Sequence, residues 1–418
     1  MMESRRVVIT GVGVVSSVGT GVPKFWDNLV NGRSGIGPIT QFDASPLKCR
    51  IGGEIRDLDI TQYMNVKEAR RLDHFCHYAV AAAEEAMASA GLLHHPEAVK
   101  AERAGVMVGA GIGGIKTLQE QCTTLIQRGP DRSSPLMVPM MIVDMAAGFI
   151  SIRHGFKGPN MGIVTACASG SHAIGEAAWV IKRGDADVII SGGAEACICP
   201  LGLTGFCAMR ALSERNDDPV GASRPFDATR DGFVPAEGAG ILILEELEHA
   251  RARKATILAE VVGYGATGDA YHITAPDPEG SGAAEAIRVA LRHAGLEAGQ
   301  VDYVNAHGTS TPLNDKLETM AIKKAFGEAA ARKVAISSTK SMTGHALGAA
   351  GGLESIVCVQ TLLSGIIAPT INYGTPDPEC DLNYTPNEAV RRDVRIALNT
   401  NLGFGGHNSA LLFKRWEE

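Results

Sequence analysis

The sequence predicts an α/β fold made of two related halves. Short runs of β-branched and other apolar residues, such as 6–11, end on glycine, which is typical of buried strands followed by turns. The segments 164–175 and 336–351 each run from such a strand, through a reactive residue, into a Gly/Ala-rich helix. This repetition indicates an internal duplication of one βα unit. We therefore expect an N-terminal half over residues 1–250 and a C-terminal half over 251–418.

Composition supports a large packed protein. The 418 residues are 45% hydrophobic and 20% charged, with 49 glycines, which favours a close-packed α/β protein and argues against disorder. A formal net charge of −7 argues against a general nucleic-acid binder. The nine scattered cysteines fit reduced thiols in the cytoplasm, and Cys197 and Cys199 lack zinc-site spacing. We expect no signal peptide and, because no uninterrupted apolar run reaches about 18 residues, no transmembrane helix.

The N-terminal half is predicted to contain strands that end on glycine or acidic turns. The basic residues Lys67, Arg70 and Arg71 precede an Ala-rich helix expected at 79–90, and they fit a solvated face and a binding patch equally well. Residues 212–237 are too long for an ordinary connection, so we expect them to build a site or an interface. The predicted strands, with their turns, are 6–11, 104–114, 186–195 and 240–245.

The glycines after the second strand match a dinucleotide-binding fingerprint. Gly109, Gly111 and Gly114 have the G-x-G-x-x-G spacing and follow a strand. The acidic strand end expected about 20 residues later is missing, because the chain continues there into Ser133 and Pro135. We therefore interpret these glycines as residues that permit close packing beside a pocket.

The C-terminal half places reactive side chains at or just beyond strand ends. His307, Lys340, His345 and Phe404 follow predicted strands, as Cys167 does in the first half. Ligand sites in α/β sheets form outside the carboxyl ends of the strands, so halves packed face to face would bring these residues together. The predicted strands are 257–263, 301–306, 334–338, 395–400 and 409–414.

Cys167 is the candidate nucleophile. A strand that ends near Thr165 and a helix that begins near Cys167 would place the sulfur at a helix N-terminus, where free N–H groups and the macrodipole lower a thiol pKa. A buried structural cysteine is the alternative, and it describes most free cysteines. The histidines favour the nucleophile, because a thiolate beside two neutral imidazoles is suited to acyl transfer. We therefore expect a thiolate at neutral pH.

Two further residues support this chemistry. Lys340 supplies positive charge that favours both a neutral imidazole and a thiolate. Phe404 lies between Gly403 and Gly405, which allow its ring to swing and leave backbone N–H groups free to form an oxyanion hole. The alternatives are an ordinary loop histidine at each His position and a core aromatic at Phe404. Each is plausible alone, but all of them together are much less plausible.

Four specific motifs follow one another along the chain: 165–170 (TACASG), 305–311 (NAHGTST), 338–345 (STKSMTGH) and 403–406 (GFGG). In this order they resemble those of the β-ketoacyl-acyl-carrier-protein synthases, most closely the elongating type II enzymes of bacterial fatty-acid synthesis. The likeness extends over 7–414. It implies a thiolase-like fold with two duplicated halves in a five-layered αβαβα sandwich, usually as a homodimer. It also implies decarboxylative Claisen condensation of malonyl-carrier protein with an enzyme-bound acyl thioester.

The resemblance also implies roles for individual residues. Cys167 resembles the acyl-accepting nucleophile, and its N–H group and that of Phe404, also a gating ring, match the oxyanion hole. His307 and His345 resemble the pair that promotes decarboxylation and stabilises the enolate. The remaining matches are Lys340 (electrostatic organiser), Glu354 (supporting shell), Ile112 and Phe206 (acyl tunnel), and Lys67, Arg70, Arg71 and Arg210 (docking of the acyl carrier protein).

The resemblance leaves several points open. It requires no cofactor, although a structural monovalent cation is compatible with it. His407 stands where many members have Thr, and this difference leaves the catalytic assignment intact. A polyketide or specialised-lipid ketosynthase would share the same residues, and a chain-length partner or scaffold would tolerate loss of Cys167. A thiolase would need a second cysteine at 403–409, and a chain-starting synthase an Asn in place of His345; the sequence has neither.

Overall fold

The structure is a computed structural model that describes residues 5–93 and 95–417. The strands of its first half are β1 (Val7–Ser16), β2 (Gly19–Thr20), β3 (Gly37–Pro38), β4 (Ile51–Gly52), β5 (Ala104–Gly109), β6 (Asn160–Ile163), β7 (Val188–Glu195) and β8 (Gly238–Glu246). The helices are α1 (Val22–Val30), α2 (Val66–Ala69), α3 (His74–Ser89), α4 (Ile115–Arg128), α5 (Met137–Met141), α6 (Met145–His154), α7 (Ser169–Arg183), α8 (Pro200–Ala208) and α9 (Leu247–Ala252).

The second half repeats the order of the main strands and helices, with fewer added elements. Its strands are β9 (Ala259–Gly268), β10 (Tyr303–Asn305), β11 (Ala335–Ser337), β12 (Ile366–Ile367), β13 (Val390–Arg391), β14 (Ile396–Gly403) and β15 (His407–Arg415). Its helices are α10 (Ser281–Ala294), α11 (Pro312–Phe326), α12 (Glu328–Ala331), α13 (Lys340–Thr343) and α14 (Ala350–Ser364).

The main sheet shows the duplication directly. Its order is β6-β5-β7-β8-β1 in the first half and β11-β10-β14-β15-β9 in the second, with the same parallel and antiparallel neighbours. The two sections meet where β1 and β9 pair through only two residue pairs, Val8 with Glu260 and Ile9 with Ala259. The ten main strands therefore form two equivalent five-stranded sections joined where β1 meets β9, and β2 is an eleventh strand that pairs with β1.

Helices cover both sections and fill the space between them. Helices α7 and α14 pack on each other and on strands of both sections, α3 and α6 cover the outer face of the first, and α10 covers the outer face of the second. The sequence of layers is thus αβαβα. The predicted α/β fold with two duplicated halves is confirmed.

The two central helices begin in the same unusual way. A 3₁₀ turn over 166–168 precedes α7, and another over 347–349 precedes α14. The first residue of each turn has a positive φ, 50° at Ala166 and 44° at Leu347. Residues other than glycine rarely adopt a positive φ, because it strains the backbone. Backbone strain of this kind is concentrated at functional sites. The second residues of the turns, Cys167 and Gly348, are therefore equivalent positions.

The segment leading into and along α14 is apolar enough in composition to span a membrane. Residues Leu347–Ser364 have a mean hydropathy of 1.3, but 83% of this stretch is buried inside the protein. Its length and composition are therefore explained by its place in the central layer, where it faces both sections of the sheet.

Candidate active site

One cavity brings together the reactive residues of both halves. It has a volume of about 370 Å³, and Cys167, His307, His345 and Phe404 all line it. Cys167 comes from the turn before α7, the histidines from loops after β10 and α13, and Phe404 from the turn between β14 and β15. The strand ends converge here as the duplication predicts.

The Cys167 sulfur is buried and faces backbone donors. Its pKa is raised to about 12, first of all by burial; nearby Glu195 also raises it, whereas Lys340 and the backbone N–H groups of Phe404 and Cys167 lower it. The prediction of a thiolate at neutral pH is therefore wrong for the protein without substrate. The cysteine lies on a short 3₁₀ turn ahead of α7, and burial outweighs the nearby charge and N–H groups.

The two histidines are buried side by side. Their ring centroids are 5.2 Å apart, with the planes at 87°. Burial lowers the pKa of each well below its usual value, and Lys340 lowers both further. The rings are thus neutral at physiological pH, as predicted. His345 also meets the ring of Phe233 edge-on at 5.2 Å, and its Nδ1 is buried with no hydrogen-bond partner among residues 5–93 and 95–417.

Lys340 belongs to a buried polar network behind the histidines. Its ammonium group forms an ion pair with Glu354, and both side chains are almost fully buried. The other Glu354 oxygen accepts a 2.7 Å hydrogen bond from Asn401 Nδ2, which also lies 3.5 Å from His307 Nδ1. The positive charge near the cavity is therefore fixed in place by the Glu354 carboxylate of α14, which Asn401 of β14 holds by donating a hydrogen bond to it.

A second buried carboxylate holds the His307 loop, and the sequence analysis missed it. Glu318 of α11 accepts hydrogen bonds from the backbone N–H groups of His307 and Gly308, both at 2.7 Å, and from Thr400 Oγ1 at 2.9 Å. Burial raises its pKa to about 7. In the sequence, the one indication of this role is that Glu318 is a charged residue on a helix face that is otherwise buried. The sequence alone does not show which loop Glu318 binds.

The long segment 212–237 forms part of the cavity wall, as predicted. Phe233 and Gly232 line the cavity, and the backbone of Pro235 pairs with that of His345 in an isolated parallel β-bridge. The Ala236 N–H group donates to the His345 carbonyl at 3.0 Å, and the His345 N–H group donates to Val234 O at 2.7 Å. The segment therefore fixes the backbone of one catalytic candidate.

The tunnel candidates lie beside this cavity and not in its wall. Ile112 and Phe206 are half-buried and pack against the hydrophobic cluster that contains Cys167, and Phe206 meets Phe233 edge-on at 5.4 Å. His407 lies edge-on to His172, 6.4 Å between centroids, outside the cavity lining. An acyl chain leaving Cys167 toward Ile112 would thus enter an apolar region.

The docking candidates fall into two places. Arg210 is exposed and lines the mouth of the Cys167 cavity, whereas Arg70 lines a separate groove of about 330 Å³. Lys67 and Arg71 are exposed beside that groove. None of the four forms a salt bridge within the described residues, so their charges are free to meet a partner.

Groups of three or more His, Cys, Asp or Glu side chains able to hold a metal do not occur in the residues that the structure describes. All nine cysteines are free. Cys197 and Cys199, which lack zinc-site spacing in the sequence, are both buried.

The duplicated fold and a site that pairs a buried cysteine with two neutral histidines define a thiolase-like condensing enzyme. Family profiles agree: the description "Beta-ketoacyl synthase, N-terminal domain" matches residues 4–250, and "Beta-ketoacyl synthase, C-terminal domain" matches 258–374. The chain belongs to the beta-ketoacyl synthase family. The resemblance inferred from the four motifs is confirmed.

Individual relatives cover the whole chain. The 3-oxoacyl-[acyl-carrier-protein] synthase 2 of Synechocystis sp. is 53% identical over 416 residues, 100% of this chain and 99% of that protein. The protein of the same name from Staphylococcus aureus is 51% identical over 417 residues, 100% of both chains. A solved type II polyketide ketosynthase, in complex with its acyl-carrier protein and bound to a hexaketide, has a TM-score of 0.90 and 37% identity, covering 99% of this chain and 100% of that one.

Proposed function

We propose that the protein is an elongating 3-oxoacyl-[acyl-carrier-protein] synthase that extends fatty acids by two carbons. One observation carries this proposal: a single cavity holds a cysteine whose sulfur faces two backbone N–H groups, next to two buried neutral histidines. A fixed nucleophile, fixed oxyanion donors and neutral imidazoles are the groups that acyl transfer and enolate formation need. The printed names of the relatives support the same reaction.

Cys167 first takes the acyl group from acyl-carrier protein. Its sulfur attacks the thioester carbonyl, the carrier's sulfur leaves, and the thiol proton ends on that leaving sulfur. The N–H groups of Cys167 and Phe404 face the sulfur, and they are placed to hold the oxyanion of this step. Because burial raises the pKa of Cys167 to about 12, the thiol gives up its proton only as the acyl thioester reacts.

The histidines act on the second substrate, malonyl-carrier protein. Loss of carbon dioxide leaves an enolate, and neutral His307 and His345 donate hydrogen bonds to its oxygen. The enolate carbon then attacks the acyl-Cys167 carbonyl, and Cys167 leaves as a thiolate that takes up a proton from solvent. Burial first of all, and then Lys340, which is fixed by Glu354, lowers the pKa of both histidines and keeps the imidazoles neutral, as this step requires.

A polyketide or specialised-lipid ketosynthase is the second candidate. The solved polyketide ketosynthase has the same fold at 37% identity, and so this activity is compatible with the scaffold. The full-length relatives at 51–53% identity carry the fatty-acid name, and this greater likeness favours elongation.

We propose the acyl carrier protein as the partner, docked by the free basic side chains. Arg210 at the cavity mouth and the group Lys67, Arg70 and Arg71 present positive charge on a chain of net charge −7, which suits an acidic partner. The solved ketosynthase–carrier complex supports this. Arg210→Glu should raise the KM for acyl-carrier protein without changing the rate of Cys167 alkylation by iodoacetamide.

We propose a homodimer formed through the open edge of the first section. Strand β6 ends the sheet, and the elements α4, α5, α6 and β6, which contact one another, expose large apolar side chains. An unpaired strand edge beside exposed apolar residues is typical of an interface. Ile126→Asp should give a monomer in sedimentation. The exposed residues are Leu125, Ile126, Val138, Ile152, Met161 and Val164.

We propose a site for a monovalent cation between β10 and β14. Asn305 and Asn399 occupy paired positions on β10 and β14, and the side-chain oxygen of each is buried with no hydrogen-bond partner in the part of the chain that the structure describes. Amide oxygens suit hard cations, and a cation here would support the strand that ends at the His307 loop. If the site binds one, replacing choline chloride by potassium chloride will raise the melting temperature of the wild type but not of Asn399→Ala.

The remaining assignments are proposals of the same kind. We place the junction of the halves between residues 250 and 251 and the protein in the cytoplasm, where nine free cysteines stay reduced.

The function is tested with the full chain, hexanoyl-carrier protein and malonyl-carrier protein. Mass spectrometry should find one product, the β-ketoacyl-carrier protein that is longer by two carbons. Cys122→Ala, at an exposed cysteine outside the cavity, serves as the matched control for Cys167→Ala. Products with several unreduced keto groups would instead favour the polyketide reaction, and absence of any new carbon–carbon bond would contradict both.

A further inference from the structure

The glycine-rich loop after β5 binds a carboxylate from its own chain. Glu195, the last residue of β7, accepts hydrogen bonds from the N–H groups of Gly111 at 2.7 Å, Ile112 at 3.2 Å and Gly113 at 3.2 Å. These are N–H groups of the loop whose glycines match the dinucleotide fingerprint. The anion they hold is therefore an internal side chain.

The same carboxylate reaches the second half of the protein. Its Oε2 atom also accepts from the N–H group of Gly348, at 3.1 Å. Gly348 lies in the turn before α14, and a Cβ atom there would lie 2.3 Å from the Gly111 nitrogen. Glu195 thus joins a loop of one half to a turn of the other at a point where the two backbones touch.

The Glu195 side chain has no charge partner. It is fully buried, and no salt bridge to it occurs among the described residues. Burial raises its pKa to about 7, while the four backbone donors lower it. A buried carboxylate without a cation is costly, and its only stabilising contacts here are to the 111–113 loop and to Gly348.

The hydrogen bonds to Glu195 fix the position of Ile112. It stands in the middle of the loop, and its side chain packs against the hydrophobic cluster that contains Cys167. Gly113 has a φ of +73°, so the loop conformation is one that other residues rarely adopt. The anchored backbone therefore fixes where the Ile112 side chain lies relative to Cys167.

We propose that Glu195 is a positioning residue that anchors the 111–113 loop and thereby makes Ile112 select the acyl chains that Cys167 accepts. This inference rests on the proposed function, because it needs an acyl chain on Cys167. Because Ile112 packs against the cluster that contains Cys167, a chain long enough to pass Ile112 would compete with its side chain for space, whereas a short chain would only contact it. Loosening the loop should therefore favour long chains over short ones.

The test compares Glu195→Gln with the wild type. Glutamine keeps the size, but its NH₂ group faces backbone donors and leaves at least one of them unpaired. The measured quantity is kcat/KM for tetradecanoyl-carrier protein divided by kcat/KM for butanoyl-carrier protein. We expect this ratio to rise about tenfold, with malonyl decarboxylation in the absence of primer within about twofold of the wild type.

Two variants make the result specific. Ile112→Ala should shift the ratio in the same direction. Glu85→Gln should leave it unchanged, because Glu85 also binds two backbone N–H groups, those of Val14 and Val22, away from the cavity. If Glu195→Gln does not fold, Glu195→Asp, which keeps the charge but has a shorter reach, decides by the same ratio.

The outcomes separate the inference from the proposed function. An unchanged ratio in a folded Glu195 variant, or an equal loss for both primers, would overturn the positioning role. A wild-type chain that condenses neither primer would overturn the proposed function, and the inference with it.

Discussion

The two halves of the molecule share one scaffold and differ at a few equivalent positions. The turn before the central helix carries Cys167 in the first half and Gly348 in the second. Two residues beyond the equivalent strands β5 and β10, the first half has Gly111 and the second has His307. In both loops, a buried carboxylate binds the backbone N–H groups, Glu195 in the first half and Glu318 in the second.

The different side chains at equivalent positions explain how the duplicated fold supports an asymmetric reaction. The backbone arrangement is common to both halves, and so the overall geometry comes from the scaffold, whereas the two carboxylates that hold the loops come from different elements, β7 for Glu195 and α11 for Glu318. The chemistry comes from single side chains: the first half contributes the nucleophile, and the second contributes the histidines and Lys340. Each contribution can therefore be removed separately, and the predictions follow from that.

The largest effect is expected from removing the contribution of the first half. Cys167→Ala should lower the rate of condensation by about 10⁴-fold or more, because the acyl group then has no covalent attachment. Malonyl decarboxylation should persist, since the histidines remain. Product formation by mass spectrometry and release of labelled carbon dioxide measure the two activities. Condensation that survives would remove Cys167 from its assigned role.

Removing a histidine of the second half should have the opposite pattern. His307→Ala should lower decarboxylation by about 10²–10³-fold, because one donor to the enolate oxygen is worth about 3 kcal/mol. Transfer of the acyl group to Cys167 should continue, as seen by the mass of the intact protein. His293→Ala is the matched control, because His293 lies outside the cavity lining and bonds to Tyr264 O. Normal release of carbon dioxide by His307→Ala would contradict the assignment.

The carboxylate anchors should have smaller and separable effects. Glu318→Gln leaves a backbone N–H group of His307 or Gly308 without its acceptor, so the rate of decarboxylation should fall about tenfold. The chain-length ratio, which is kcat/KM for tetradecanoyl-carrier protein divided by kcat/KM for butanoyl-carrier protein, should stay unchanged. Glu195→Gln should change the chain-length ratio and leave the rate of malonyl decarboxylation close to that of the wild type. If Glu318→Gln changed the chain-length ratio, the two anchors would not serve separate functions.

The smallest expected effect is on stability as a function of pH. Burial raises the pKa of both Glu195 and Glu318 to about 7 in the folded protein, above the usual value of 4.5. Between these values the folded state binds more protons than the unfolded state, so the free energy of unfolding should decrease as pH rises from 4.5 to 7. Urea unfolding at several pH values should show a shallower dependence in Glu318→Gln. An equal slope in both proteins would contradict the raised pKa.

The sequence predicted much of the fold and most of the reactive residues. Apolar runs that end on glycine located the main strands, and the likeness of 164–175 to 336–351 revealed the duplication, since both signals are local. The structure also brings Cys167, His307, His345 and Phe404 to one cavity, as expected from their places at strand ends.

The features that the sequence did not predict depend on contacts between distant segments. Glu195 and Glu318 look like ordinary acidic residues until the fold shows which N–H groups they meet. The sequence predicted a lowered pKa for Cys167, whereas the pKa is raised. The start of a helix is visible in the sequence, but the depth at which the thiol is buried is not. Similarly, the apolar stretch Leu347–Ser364 is explained only by its burial between the two sheet sections.

The division of labour between the halves is tested most directly by one measurement on Cys167→Ala and His307→Ala. Each protein receives acyl-carrier protein and labelled malonyl-carrier protein, and the acyl-enzyme and the carbon dioxide released are quantified in the same sample. We expect carbon dioxide without acyl-enzyme for Cys167→Ala, and acyl-enzyme without carbon dioxide for His307→Ala. Loss of both signals in each folded variant would contradict this division of labour.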